Sequence, residues 1–284
     1  MTAKGRLRSI ARTRALDALG TWDRVSGRAE VALRRPRVHF VYLHGVPPQE
    51  LERFGALVDQ LAESHEFVSH SQAVDLVMSG AETGHPIVSI SFDDGFLSNV
   101  EAARSLQQRG ISGCFFLPSD FIGTTDLDEA RRFFRTSEGV ETAMSWDDVE
   151  WLLSTGHEVG NHTRHHPDLS TTPVEQLTDE IGRSREVLRN HTGTEVPHFA
   201  WPLGRLQHMT PLAARTVFET GHKSCASAIR GAHVNPSRTT RPCLRRDHIM
   251  TSWPSSHVRH FLANSAQRAS AADNEWPESW DVLS

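Results

Sequence analysis

The chain has 284 residues, of which 38% are hydrophobic and 23% are charged, and its formal net charge is −5. This composition suits a globular protein with a sizeable core and excludes a mostly disordered chain. No run approaches the roughly 20 apolar residues of a membrane-spanning helix, and no apolar segment follows the basic N-terminus. We therefore expect neither a transmembrane segment nor a secretory signal.

The basic residues are concentrated at the N-terminus. Residues 1–37 contain ten Lys and Arg and three acids, which is a charge of +7 and leaves −12 on the remainder. Apolar side chains recur at helical spacing between residues 7 and 22, and arginines flank them. This pattern predicts an arm helix that either packs on the domain or lies on an anionic membrane surface.

From residue 38 onward, short β-rich runs alternate with amphipathic segments, so we predict an α/β fold with a parallel sheet or barrel over residues 38–250. A C-terminal helix and tail over residues 251–284 would follow. The predicted strands are 38–43, 86–92, 112–117, 158–160, 197–201 and 244–249. The predicted helices lie near 50–63, 71–79, 97–109, 146–155, 173–189 and 211–219. Ser145 and Thr172 have the sequence context of helix N-caps.

The three cysteines, Cys114, Cys225 and Cys243, are scattered along the chain and show no CxxC spacing. We interpret them as reduced thiols of a cytoplasmic protein, because a disulfide framework or a zinc knuckle needs paired spacing.

Two adjacent carboxylates, Asp93 and Asp94, stand where the predicted strand 86–92 ends and a turn at Gly95 begins. In parallel α/β folds, catalytic and ligand-binding residues lie at the carboxyl ends of the strands. Adjacent side chains diverge there, so one carboxylate can bind a metal while the other accepts a proton from the metal's water. The alternative is an ordinary Asp-Gly turn.

The histidines of residues 160–167 supply further metal ligands. His162 and His166 are four residues apart and can converge on one cation, and neutral imidazole suits zinc and its neighbours. Pro167 disfavours helical geometry at His166, which places the pair on a loop. Taken alone, a loop with these histidines could equally be ordinary polar surface. With Asp94 it forms a set of two His and one carboxylate with room for water, which is the pattern of a catalytic metal site.

Residues 92–95 (Phe-Asp-Asp-Gly) and 162–167 (His-Thr-x-x-His-Pro) resemble the first two motifs of the NodB-homology polysaccharide deacetylases. The flanking segments 42–46, 145–148, 156–160 and 199–204 match as well, so the resemblance covers roughly residues 38–250. It implies a distorted (β/α) barrel with fewer than eight repeats. It also implies a hydrolase that removes N-acetyl groups from sugars, with N-deformylation and O-deacetylation as alternatives.

Carried over position by position, the resemblance makes Asp93 the general base and Asp94, His162 and His166 the metal ligands. A second group must protonate the leaving amine. The late Leu-x-His of many members is missing from residues 241–248, whereas an early Tyr-x-His, as in a rearranged branch, ends at His44. This favours His44 over His248 as the acid.

The third motif also departs from the common pattern, because residues 200–204 lack the Arg that would orient the base. Arg205 and Arg245 are the candidates to replace it. Trp201 is either an apolar wall for the acetyl methyl group or part of the core. We expect Asn161 and Thr163 to orient the neighbouring histidines.

The function predicted from the sequence is metal-dependent removal of an N-acetyl group from an amino sugar in a polysaccharide, or in its lipid- or nucleotide-linked precursor, during cell-surface polysaccharide synthesis. The ligand types favour Zn²⁺, although Co²⁺, Ni²⁺, Mn²⁺ and Fe²⁺ also suit them. We expect an N-acetylated sugar or oligosaccharide as the substrate, no nucleic acid, and a cytoplasmic location with peripheral contact at the inner membrane face. The alternative from another class is a catalytically impaired, metal-containing carbohydrate-binding protein.

Overall fold

The computed structural model describes residues 3–234, 236 and 238–268, and in this part of the chain strands and helices alternate. The strands are β1 (Arg37–Leu43), β2 (Glu66–Phe67), β3 (Pro86–Phe92), β4 (Gly113–Leu117), β5 (Glu158–Asn161), β6 (His198–Ala200), β7 (Ser224–Ala226), β8 (Cys243–Leu244) and β9 (Asp247–His248). The helices are α1 (Ala3–Val25), α2 (Arg28–Leu33), α3 (Leu51–Ala62), α4 (His70–Ser79), α5 (Ser98–Gln107), α6 (Leu127–Phe134), α7 (Trp146–Ser154), α8 (Val174–Thr178), α9 (Ser184–Thr192), α10 (Pro211–Glu219) and α11 (Ser255–Arg268).

The strands form one parallel sheet in the order β8-β7-β6-β5-β4-β3-β1-β9, and β2 pairs with β3. The stretch 243–248 belongs to both edges, because β8 pairs with β7 and β9 pairs with β1. The sheet therefore curls into a partial barrel whose edges are joined by one short segment. This confirms the predicted distorted (β/α) barrel with fewer than eight repeats.

Both faces of the curled sheet are packed. Outward-facing residues such as Val41, Ile90 and Phe92 join a buried cluster with side chains of α3, α5, α7 and α11. Inward-facing residues of β1, β4, β6, β7 and β8 surround α4 through Ala73 and Val74. Helix α4 therefore fills the barrel interior below the carboxyl ends of the strands. The three cysteines are buried and free.

Most predicted elements match the structure within one or two residues. The predicted strand 244–249 is wrong as a single strand, because residues 245–246 separate β8 from β9 where the chain passes from one edge to the other. The sequence did not predict α6 or the short strands β2 and β7. The predicted helix 173–189 corresponds to α8, a π turn at Asp179–Arg183, and α9.

Only one of the two predicted helix caps forms. Ser145 caps α7, since its side chain accepts from the Asp148 N–H and the Asp148 carboxylate accepts from the Ser145 N–H. Thr172 does not cap α8. Its hydroxyl instead donates to the Asp168 carbonyl, and Pro173 is the residue before the helix.

The N-terminal helices pack on α11. The two acids of α1 are used in this contact, because Asp17 and Asp23 pair with His257 and His260. The apolar side of α1 faces away, and Trp22 is 61% exposed. The arm helix therefore packs on the domain, which is one of the two predicted alternatives, although the apolar side chains Ala15, Ala18, Leu19 and Trp22 are exposed. The stripe's earlier side chains and the predicted tail from residue 269 lie outside the described residues, and the arm and tail boundaries stay predictions.

Among the described helices, none combines the length and the apolar character that crossing a bilayer requires.

Candidate metal centre and active site

The two adjacent aspartates lie at the carboxyl end of β3 and point to different partners. Asp93 follows the last strand residue, and its N–H donates to the Leu43 carbonyl at the end of β1. Asp94 adopts a left-handed conformation with φ 75°, which Asp tolerates better than most residues, and Gly95 continues it with φ 67°. The Asp-Gly turn that the sequence offered as an alternative is therefore present, and it is this turn that directs the two neighbouring carboxylates to different partners.

The structure brings Asp94, His162 and His166 together. Asp94 Oδ1 lies 3.4 Å from His162 Nε2 and 3.3 Å from His166 Nε2. This oxygen is buried and has no hydrogen-bond partner among the described residues. His162 Nδ1 is 2.7 Å from the Ala200 carbonyl, which only accepts, so Nδ1 carries the hydrogen and Nε2 presents its lone pair.

An orphaned carboxylate oxygen facing two imidazole nitrogens is what a divalent cation needs as ligands, and these three residues fit one. The titration of Asp94 and His166 agrees with this. Burial would raise the pKa of Asp94, but contacts with both imidazoles hold it well below its usual range. Burial lowers the pKa of His166 and so favours the neutral imidazole that binds a metal. Burial works to lower the pKa of His162, but its contacts with Asp94 and Asp93 raise it, so protonation of this imidazole competes with metal binding.

The carboxylate of Asp93 is held by Arg246, which sequence reasoning missed. The Arg246 guanidinium donates from Nη1 to Asp93 Oδ1 and from Nη2 to Asp93 Oδ2, both at 2.8 Å, and both side chains are buried. Arg246 also donates to Ser91 Oγ and to the Ser227 carbonyl, and it lies 4.4 Å from the centroid of the Tyr42 ring. Burial works against the Asp93 charge, but Arg246 and His162 outweigh it and lower the pKa of Asp93.

Neither predicted substitute for the third-motif Arg occupies this place. Arg205 is exposed, and Arg245 donates to the Arg230 carbonyl. Strand alternation could have identified Arg246, because Leu244, Arg246 and His248 follow one another at every second position. Leu244 faces the barrel interior, so Arg246 faces inward with it and Arg245 does not.

Both candidate acids lie at the site, side by side. His44 follows the end of β1, and His248 ends β9, which pairs with β1. His44 Nδ1 is 3.3 Å from His248 Nε2, and the positive charge of His44 contributes to the lowered pKa of both Asp93 and Asp94. His44 is exposed, whereas burial lowers the pKa of His248 to about 4. His248 is thus neutral at pH 7 and can accept a hydrogen bond from His44.

The remaining predicted residues act around the site. Trp201 is buried in a cluster with Phe199, Leu177 and Met209, which matches the core alternative. Thr163 Oγ1 donates to the His162 carbonyl and accepts from the His166 N–H, so it joins the backbones of both histidines. Asn161 accepts from the Thr163 N–H and thereby holds the turn between them.

A sequence model of the polysaccharide deacetylase family matches residues 80–219, which contain Asp93, Asp94, His162 and His166. The chain belongs to the polysaccharide deacetylase family. The matched range ends before Arg246 and begins after His44, so it contains Asp93, Asp94, His162 and His166 but neither Arg246 nor the two candidate acids, His44 and His248.

A curated relative and solved structures agree with this membership. The peptidoglycan-N-acetylmuramic acid deacetylase PdaA of Bacillus subtilis is 25% identical over 115 residues. The match covers 40% of this chain and 36% of that protein, so the chain spans about a third of the relative's length.

Three solved structures share the fold. IcaB from Ammonifex degensii has a TM-score of 0.64 at 22% identity, over 82% of this chain and 97% of IcaB. The Streptococcus pyogenes deacetylase PplD has a TM-score of 0.61 at 14% identity, over 81% of this chain and 98% of PplD. A de-N-acetylase from Aggregatibacter actinomycetemcomitans has 0.60 at 16%, over 79% of this chain and 99% of that one.

Proposed function

We propose that this protein is a metal-dependent deacetylase that hydrolyses the N-acetyl group of an amino sugar in a polysaccharide or its lipid- or nucleotide-linked precursor. The observation that carries the proposal is the convergence of Asp94, His162 and His166 beside a second carboxylate, Asp93, that holds no place in the ligand set. A protein that only bound metal and sugar would have no use for this extra buried carboxylate.

Asp94, His162 and His166 would hold the metal, with Zn²⁺ the first choice. When bound, a divalent metal lowers the pKa of water and polarises an acyl oxygen. Arg246 keeps Asp93 ionised, yet each carboxylate oxygen retains a second lone pair. Asp93 can therefore accept the proton of the attacking water as general base.

His44 would supply the proton that the leaving amine needs. A protonated His44 can donate its Nδ1 hydrogen to the neutral His248 and still present Nε2–H to the substrate nitrogen. His248 then orients the acid. This assignment keeps both histidines in use, with His44 as the exposed member of the pair.

Replacement of the base tests the function directly. The metal-loaded protein should release acetate together with a free amine from acetylated sugar nucleotides, lipid-linked sugars or oligosaccharides. Asp93→Asn should lower this turnover by orders of magnitude while metal content stays stoichiometric, because Asp93 is not a ligand. Formate, or acetate without amine, would instead indicate a deformylase or an O-deacetylase. An Asp93→Asn protein with unchanged turnover would remove Asp93 from the mechanism, and absence of any product would favour the carbohydrate-binding alternative.

For the location, we propose peripheral contact of the N-terminal helices with an anionic membrane surface on the cytoplasmic side. The support is that the acidic side chains of α1 make its contacts with α11, which leaves Trp22 and Val25 exposed. Arg14 and Arg28, on α1 and α2, are exposed as well. Apolar side chains beside arginines are the pattern of an interfacial helix. Sedimentation with anionic but not with neutral vesicles, lost in Trp22→Ser/Val25→Ser, is the expected result. Equal sedimentation with both vesicle types, or none, would contradict it.

A further inference from the structure

The loop that carries the two histidine ligands has an unfavourable backbone. Thr163 and His166 both have positive φ, 69° and 52°, which for a β-branched residue such as Thr163 is a rare and costly conformation. A conformation of this kind persists when surrounding contacts impose it. The distance between the two imidazoles therefore depends on whatever holds residues 163–165.

Glu180 makes several of these contacts, and three of them reach backbone N–H groups. Its Oε2 accepts from the N–H groups of Arg164 at 3.2 Å and His165 at 3.0 Å, and its Oε1 is 2.7 Å from His165 Nδ1. The Glu180 carbonyl also accepts from the Arg164 N–H. The residue is only 8% exposed, so water competes little with these bonds. Both residues between Thr163 and His166 are thus bonded to one glutamate.

The helix around Glu180 is irregular where the loop meets it. Residues 179–183 form the π turn between α8 and α9, and π turns inside helices often accompany functional sites. The next carbonyl, that of Ile181, accepts from Asn161 Nδ2 at 2.8 Å. Ser184 Oγ, just after the turn, donates to the Thr163 carbonyl. The wider turn thus directs consecutive polar groups at the loop.

We propose that Glu180 is the positioning residue of the metal centre, because it holds the backbone between His162 and His166 in the one conformation that lets both Nε2 atoms face Asp94. This inference rests on the proposed metal site. Residues that orient ligands in this way typically change metal affinity ten- to a hundredfold when they are replaced.

The test is a metal titration of the full-length protein, with Co²⁺ as the probe and a competing chelator to give the dissociation constant. Glu180→Ala should weaken Co²⁺ binding about ten- to a hundredfold and change the visible d–d spectrum, since the ligand geometry relaxes. Glu180→Gln, which keeps one acceptor oxygen, should recover part of the affinity. Ser184→Ala removes a single bond to the loop and should weaken binding by a few fold. Circular dichroism of each apoprotein confirms folding.

The matched control is Glu186→Ala, a change of the same kind on α9, where the exposed carboxylate pairs with Arg183. It should bind Co²⁺ as the unchanged protein does. Asp94→Ala in the same titration separates the two proposals. If Asp94→Ala abolishes binding but Glu180→Ala keeps the original constant and spectrum, Glu180 has no positioning role. If Asp94→Ala binds normally, the metal site itself is wrong and this inference falls with it.

Discussion

At the scale of single residues, the site depends on buried charges that neutralise one another. Asp93 and Arg246 are both buried and joined by two hydrogen bonds, so each compensates the desolvation of the other. In the proposed metal site beside them, two imidazoles face the single carboxylate of Asp94. Removal of either member of the ion pair leaves an uncompensated charge below the reactive site.

Replacement of Arg246 should therefore affect both folding and turnover. We expect Arg246→Met to lower the free energy of unfolding by about 3–5 kcal/mol, because Asp93 stays buried without a counter-charge. Turnover should fall as well, since the base loses its orientation. Urea denaturation and steady-state kinetics measure the two effects. Arg245→Met is the adjacent control and should change stability by less than about 1 kcal/mol.

The double variant Asp93→Asn/Arg246→Met gives a further check on the ion pair. It should be more stable than Arg246→Met alone, because the unpaired carboxylate is gone. Equal stability of the single and double variants would show that the charge of Asp93 is not what destabilises the single one.

The role of His44 can be separated from that of His248 by the choice of leaving group. An amine needs protonation, whereas an activated aryl ester leaves without it. His44→Ala should therefore lower turnover of the sugar acetamide by about 10²–10⁴-fold and that of an activated aryl acetate far less. His248→Ala should have a smaller effect. The reverse order of the two variants would make His248 the acid.

At the scale of elements, the strands position the site only because they can approach one another closely. Gly160 of β5 pairs with Phe116 of β4, and only Asn161, the last residue of β5, separates it from His162. A Cβ atom on Gly160 would lie 2.4 Å from the Phe116 ring, well inside the closest real contacts. Gly160 therefore sets how near β5 can come to β4, and with it the position of His162.

Gly160→Ala tests this packing. The added methyl group must displace Phe116 or β5, and overpacking of this kind typically costs about 1–3 kcal/mol. We expect a lower melting temperature together with weaker metal binding, because His162 moves with its strand. Gly84→Ala, in open space, is the control and should leave both quantities unchanged. Normal stability of Gly160→Ala would mean that Phe116 can give way without cost.

At the scale of the whole molecule, the interior contains several histidines that burial keeps neutral. Burial, the first cause in each case, lowers the pKa of His198, His222 and His233 to about 3. Their ring nitrogens bond to neutral groups such as Ser71 and Ser224 hydroxyls or backbone, so no nearby carboxylate stabilises a charge. These side chains fill polar space inside the barrel without carrying charge.

The stability of the fold should therefore fall in mild acid. Above pH about 6.5 these histidines are neutral in both the folded and the unfolded chain, and they make no difference. Between pH 6.5 and 3 the unfolded chain takes up protons that the folded chain does not, so the free energy of unfolding decreases. Each group contributes about 2 kcal/mol of loss at pH 5.

Urea denaturation at pH 7.5, 6 and 5 measures this loss. His222→Gln should reduce the pH dependence by about one proton's slope. A free energy of unfolding that is the same at pH 7.5 and pH 5 would contradict the assignment of neutral buried histidines.

The sequence by itself determined the order of strands and helices, the barrel class, and the group formed by Asp93, Asp94, His162 and His166. The two site motifs are local: a strand followed by Asp-Asp-Gly, and two histidines four residues apart, can each be recognised within a few residues of sequence. Periodicity failed for β2, β7 and α6. These segments are short, and their conformation depends on neighbouring strands and loops rather than on their own pattern.

Only the tertiary structure decided which residues complete the site. Arg246 is 153 positions from Asp93, and His248 is 204 positions from His44. Alternation along residues 244–248 can place Arg246 on the inner face, but it cannot show which distant residue Arg246 meets. These pairs meet because residues 243–248 join β7 to β1 and close the curled sheet. Glu180 likewise reaches the ligand loop through a π turn that side-chain periodicity does not reveal. The proposed ligands can be identified from spacing along the chain. The residues that surround and orient them, by contrast, are brought to the site only when the barrel closes.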